Sequence, residues 1–121
     1  MSENVAILGA TDDSAKYANV AQKNLQAAGH TVFPVNPNKQ AVDGVKAYSS
    51  LKEIPEKIDT VTVYVRPSIL EGLTDDIIAV KPKRVIMNPD TEDPQVAEVL
   101  EEHGIQVVRS CTLVMLQSGQ F

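Results

Sequence analysis

Short continuous apolar runs alternate along the chain with longer stretches in which apolar residues recur every three or four positions. The runs are NVAIL (4–8), TVFPV (31–35), TVTVYV (60–65), RVIM (84–87) and IQVV (105–108). They are rich in β-branched residues and bounded by turn formers, as strands buried on both faces should be. Between the first two runs, Tyr17, Val20, Ala21, Asn24, Leu25 and Ala28 predict a helical stripe over 15–28, with Gly29 as its stop. NPNKQAVDG (36–44) reads as a turn-rich loop. SSLKEIPEKI (49–58) reads as a short helical turn, with Ser50 and Glu53 at capping-box spacing and Pro55 limiting its length.

Arg66 and Pro67 end the third strand, and Ser68 with Glu71 forms a capping box for a second long helix. Ile69, Leu70, Leu73, Ile77 and Val80 give that helix its apolar face. Asp93 caps a third helix with Pro94 at its first position; Val96, Val99, Leu100 and His103 line one side, and Gly104 ends it. A short tail carries Cys111, Leu113, Val114 and Met115. Strands alternating with helices predict an α/β fold: a five-stranded parallel sheet, doubly wound and Rossmann-like, with strand order 3-2-1-4-5. Residues 1–121 form one domain by size, and no internal repeat or linker is visible.

In such a sheet a ligand lies beyond the carboxyl ends of the strands, at the point where the order reverses. That rule selects the loops Gly9–Ser14, Asn36–Lys39, Arg66–Ser68 and Asn88–Asp90, with Ser110–Thr112 reaching the same edge. Composition narrows the ligand. The net charge is −5 and the pI about 4.9, which argues against duplex nucleic acid but leaves room for a small anion at a local positive site. One cysteine and two distant histidines make neither a disulfide nor a metal cluster. No apolar stretch is long enough to span a bilayer, and the acidic start MSENVAIL lacks the features of a signal peptide, so the expected compartment is the cytoplasm.

The first loop, GATDDSAKY, opens on Gly9, which permits a tight turn, but lacks the later glycines of the dinucleotide fingerprint. Thr11 and Ser14 offer hydroxyls, the following helix offers free amides and the positive end of its dipole, and Lys16 adds a counter-charge. Asp12 and Asp13 oppose an anion unless they point outward or cap the helix. The residues leave a phosphate loop and a plain turn both open. At the end of the second strand, where an NAD site places a carboxylate, stands Asn36, followed by Pro37, Asn38 and Lys39. Lys39 can meet a ribose phosphate, while the same four residues also suit a solvated turn. Arg66 can pair with phosphate, lie against a base or make a surface ion pair, and Val65 and Pro67 can form a small apolar wall.

Taken together, VAILGAT before a helix, VFPVNPNK, SSLKEIPEKIDTVTVYVRP and GIQVVRSCTLVML resemble the single-domain CoA-binding proteins. These are similar to the nucleotide-binding domain of the succinyl-CoA synthetase alpha subunit. The resemblance covers nearly the whole chain and implies a CoA-binding Rossmann-like domain. It implies Gly9, Ala10, Thr11 and Ser14 at the pyrophosphate, with Lys16 and Tyr17 opening the helix beside it. It implies Asn36 and Lys39 near the ribose and its 3′-phosphate, and Val65, Arg66 and Pro67 flanking the adenosine. Asp12, Asp13 and the Arg66–Pro67 pair depart from the family pattern. The synthetase's catalytic histidine lies outside the stretch that resembles this chain, so ligase activity is not implied.

No catalytic constellation emerges from the spacing. His30 reads as a turn residue, and His103 as a cation in a last helical turn. Cys111 is either a small buried hydrophobe or a thiol near the reach of the CoA thiol arm. The expectation is non-catalytic binding of CoA or an acyl-CoA, without membrane or nucleic-acid partners. A homo-oligomer or a partner subunit remains open. The competing reading is an NAD(P)-binding redox enzyme or sensor, disfavoured by Asn36.

Overall fold

The structure, a computed structural model, describes residues 2–121. Its elements in chain order are β1 (Asn4–Leu8), α1 (Tyr17–Ala27), β2 (Thr31–Val35), β3 (Ala41–Val42), β4 (Val45–Lys46), a 3₁₀ turn (Leu51–Glu53), β5 (Thr60–Val63), α2 (Pro67–Val80), β6 (Arg84–Met87), α3 (Pro94–Glu102), β7 (Gln106–Arg109) and α4 (Thr112–Gln117). The main sheet runs β2-β1-β5-β6-β7, and every pairing in it is parallel. Side chains alternate across it. Ala6, Leu8, Val61, Val63, Val85 and Met87 pack with Leu70 and Ile77 of α2 and Val96 and Leu100 of α3. Val5, Ile7 and Val32 face the other way, onto Ala18 and Leu25 of α1. Helices thus cover both faces, as the continuous apolar runs require.

The doubly wound parallel sheet stands, but the strand order needs correction. Numbering only the five predicted strands, it is 2-1-3-4-5, not 3-2-1-4-5. Pro34 explains the difference. The Pro34 carbonyl points outward and accepts from the Tyr48 amide. A strand residue's N–H and C=O point the same way, so the donor that proline lacks is missing from this outer edge. A full strand there would leave an acceptor unmatched. The second strand is therefore an edge, touched on its outer side by a single bridge from Val35 to Tyr48, and β5 pairs with β1 instead.

Local corrections follow similar lines. Helix α1 starts at Tyr17, and its buried face is Ala18, Ala21 and Leu25 with Asn19 and Gln22; Tyr17 is 74% exposed. The capping boxes expected of Ser50 with Glu53 and of Ser68 with Glu71 do not form. Arg66 is the N-cap of α2 and Pro67 its first residue, which places Ser68 inside the first turn. At the 3₁₀ turn it is Ser49, not Ser50, whose hydroxyl donates to Glu53 Oε1 at 2.7 Å. Asp93 does cap α3, accepting from the amides of Gln95 and Val96 at 3.0 and 3.2 Å. The loop read over 36–44 contains half a hairpin, β3–β4, turned by Asp43 and Gly44 at φ 49° and 77°. That is the backbone an Asp-Gly turn adopts. The tail folds into α4, and β5 ends at Val63, which frees Tyr64 and Val65 for the loop. No helix of the described residues is long and apolar enough to cross a membrane.

Candidate functional site

Helix α1 packs on one face of the sheet and α2 on the other, so the loops that lead into them part company beyond β1 and β5. The crevice between those loops is the switch point. Gly9 sits at its floor. With φ at +86°, Gly9 takes a backbone that other residues rarely adopt, and a Cβ there would meet the Tyr64 carbonyl and Val65 Cγ1 at 3.1 Å. Glycine is required for conformation and for close approach alike. The amides of Gly9 and Ala10 both donate to the Val35 carbonyl, at 3.2 and 3.3 Å. They hold the loop down and are spent. The amides of Thr11, Asp12 and Ser14 meet no acceptor among the described residues and remain available.

The two aspartates are disposed of separately. Asp13 turns back to accept from the Ala15 amide at 3.0 Å, and the Asp13 amide itself donates to Thr11 Oγ1 at 3.1 Å. Asp12 lies 3.8 Å from the Lys39 ammonium, with both side chains well exposed. Asn36 joins the first two loops. Its Nδ2 donates to the Ala10 carbonyl at 2.8 Å, and its Oδ1 accepts from the Asn38 amide at 2.8 Å. With the side-chain amide committed on both ends, Asn36 positions the loop. Asn19 completes the brace by donating to the Thr11 carbonyl at 2.9 Å and to Asp43 of the β3–β4 turn.

Two cavities open on either side of Gly9 and Val65, which line both. The first, about 460 Å³, is walled by Thr11, Lys16, Tyr17, Tyr64, Arg66 and Asp90. The second, about 400 Å³, is more enclosed and largely apolar, with Val35, Leu51, Ile69 and Leu73 beside Asn36. The first continues past Tyr17 and Tyr64 into a cavity of about 360 Å³ that ends on Asn88 and Cys111. Beyond Pro37, Asn38 and Ser49, the second meets a groove of about 550 Å³ lined by Lys39 and Lys46.

Of the residues predicted for the site, Gly9, Thr11, Lys16, Tyr17, Val65 and Arg66 share the first cavity. Asn36 lies at the second and Lys39 in the groove. Ala10 is buried and contributes its carbonyl to Asn36. Ser14 and Pro67 line none of these cavities; Ser14 is exposed and Pro67 starts α2. Asn88, Asp90 and Cys111, from the loops expected at this edge, line the site as well, and Tyr64 joins it without having been expected there. For Tyr64 the cause is an overlong strand prediction, since its β-rich run conceals the point where pairing stops.

The far wall is a buried polar network. Asn88 Nδ2 donates to Thr62 Oγ1 and to the Val63 carbonyl, each at 2.8 Å, and Oδ1 accepts from the Thr112 amide at 2.9 Å. The Thr62 and Thr112 hydroxyls meet at 2.8 Å. This ties the ends of β5 and β6 to α4, and Cys111, half-buried, rides on the start of that helix. The Tyr64 hydroxyl is buried without a hydrogen-bond partner among the described residues. Burial pushes its pKa up to about 12, against the opposing pull of the nearby Thr112 and Thr62 hydroxyls. Tyr64 is neutral at physiological pH. Among the described residues no group of histidine, cysteine and carboxylate side chains could hold a metal ion.

The Asp12–Lys39 pair sets a balance at the mouth of this site. Asp12→Asn removes a negative charge from the loop and releases Lys39. An exposed pair of this kind is worth about 0.2–1 kcal/mol. The expected result is a roughly two- to fivefold tighter Kd for a phosphorylated ligand by calorimetric titration, with the gain fading at high salt. Weaker binding would place Asp12 in contact with the ligand.

A family model described as a CoA binding domain matches residues 3–117. An uncharacterised protein of Bacillus subtilis, YneT, is 31% identical over 107 residues, covering 88% of this chain and 79% of that protein. The alpha subunit of an ADP-forming acetate–CoA ligase II of Pyrococcus furiosus is 42% identical over 62 residues; the match spans 50% of this chain but only 14% of the ligase subunit. A crystal structure of an uncharacterised protein superposes over 100% of this chain and 99% of its own, with a TM-score of 0.94 and 40% identity. With the family model covering almost its entire length, this chain belongs to the CoA-binding domain family.

Proposed function

We propose that this protein binds coenzyme A or an acyl-CoA in the crevice between β1 and β5, as a cytoplasmic module that does no chemistry on it alone. The observation that carries the reading is the continuous path through the site. An enclosed apolar cavity, a ridge of free loop amides and a narrowing arm toward Cys111 follow one another across Gly9. Adenine suits the apolar cavity beside Val65 and Ile69, held between Asn36 and the start of α2. The pyrophosphate suits the free amides of Thr11, Asp12 and Ser14, the N-terminus of α1, Lys16 and Arg66. The pantetheine arm then runs past Tyr17 and Tyr64, and the ribose phosphate faces Lys39. Asn36 argues against NAD, because its amide is fully engaged in bracing the loop and offers no carboxylate to a ribose diol.

The relatives' kinship with a ligase subunit supports a second element, a partner chain that supplies the reaction. Calorimetric titration with CoA, dephospho-CoA and NAD tests the main reading. The expected order is CoA tightest, dephospho-CoA about tenfold weaker for one lost charge-assisted contact, and NAD weakest. Tight binding of NAD alone would overturn it.

A further inference from the structure

The groove beyond the apolar cavity carries two lysines on a chain whose net charge is −5. They are not equivalent. The Lys39 ammonium lies 3.8 Å from Asp12, so part of its field is already spent. Lys46 forms no ion pair among the described residues. Its ammonium stands 5.1 Å from the centre of the Tyr48 ring, a contact that restrains it without neutralising it. Tyr48 is itself fixed, since its amide and carbonyl bond Pro34 and Asn36 on the edge of β2. Lys46 also sits on β4, in a hairpin braced to the first loop through Asn19 and Asp43. The Ser49 hydroxyl on the same groove is already donated to Glu53 and is not free for a phosphate.

Resting on the CoA reading, we propose that Lys46 is the specificity-determining cation of this site. It reads a phosphomonoester on the ribose of a nucleotide whose base fills the adjoining apolar cavity. A dianionic phosphate placed here meets one uncompensated ammonium and one compensated one, so Lys46 carries more of the discrimination than Lys39. The groove adjoins the cavity through Pro37, Asn38 and Ser49, which puts the ribose at the junction.

The experiment measures Kd for CoA and dephospho-CoA with the wild type, Lys46→Gln, Lys46→Arg and Lys39→Gln. The wild type is expected to prefer CoA. Lys46→Gln should weaken CoA about fivefold while leaving dephospho-CoA unchanged. Lys46→Arg should retain the preference, and Lys39→Gln should lose less of it. Unchanged dephospho-CoA binding also certifies that the variants fold. A Lys46→Gln protein that keeps the full CoA preference overturns the assignment, as does a wild type that binds both ligands equally; both results leave the CoA reading intact. A wild type that binds neither overturns that reading, and this one with it.

Discussion

Gly9→Val is expected to lower stability by about 2–5 kcal/mol and to abolish ligand binding. Two costs combine. A side chain at φ +86° sits outside the usual backbone regions, at about 1–2 kcal/mol. The added Cβ also meets backbone and Val65 at 3.1 Å, and forcing atoms into a packed site costs about 1–3 kcal/mol more. The neighbour that must give way is mainly the Tyr64 carbonyl, which cannot swing aside as a flexible side-chain end would. The crevice therefore has to widen where the two loops approach each other. Urea unfolding should show a lower midpoint at constant m. Gly9→Ala should fall part of the way, because the conformational cost remains and its bulk is smaller. Wild-type stability in the valine variant would show that the two loops are not held at this separation.

Asn88→Ala is the second large effect, about 3 kcal/mol of destabilisation. Asn88 is 2% exposed and joins three elements through both ends of its amide. Alanine leaves the Thr112 amide without its acceptor and strips a donor from the Val63 carbonyl, and unsatisfied buried groups of this kind cost about 1–3 kcal/mol each. Asn88→Asp is the sharper probe. It keeps the shape but replaces the Nδ2 donor with an oxygen that faces the Val63 carbonyl, so it is expected to be no less harmful than alanine. Hydrogen exchange at Thr112 should accelerate in the alanine variant, because α4 loses its anchor. Slow exchange there would mean that the Thr62–Thr112 hydroxyl pair suffices. The position belongs to the wall carrying Cys111, so the same variants should also weaken CoA more than they weaken a ligand lacking the pantetheine arm.

Both positions were readable in the sequence to different degrees. Gly9 stood out because a glycine directly after an apolar strand and before a helix has few other reasons to be there. Asn88 appeared only as a residue in a loop, since nothing local to RVIMNPD shows that its amide reaches a threonine of the preceding strand and the amide of Thr112. Lys39 was visible as a charge after the second strand, but its partner Asp12 belongs to another loop. Lys46 lay in a segment whose Asp-Gly turn carries the hairpin signal, yet the side on which that hairpin packs is a tertiary matter.

The sequence by itself determined the alternation of strands and helices, the parallel sheet, the edge where a ligand belongs and the absence of an acidic residue at the end of the second strand. These follow from local hydrophobic runs, caps and turn residues, whose physics acts over a few positions. Pro34 even carried the clue to the strand order, because a missing N–H confines a strand to an edge. Only the tertiary structure decided which strands are neighbours, where β5 stops, how α1 turns its apolar face and which of two lysines keeps its charge free. Each of those depends on atoms far apart in the chain meeting in space: the Pro34 carbonyl with Tyr48, Gly9 with Tyr64, Asp12 with Lys39. Pairing energies of this kind leave no periodic trace in the sequence, and so they become legible only when the chain is folded.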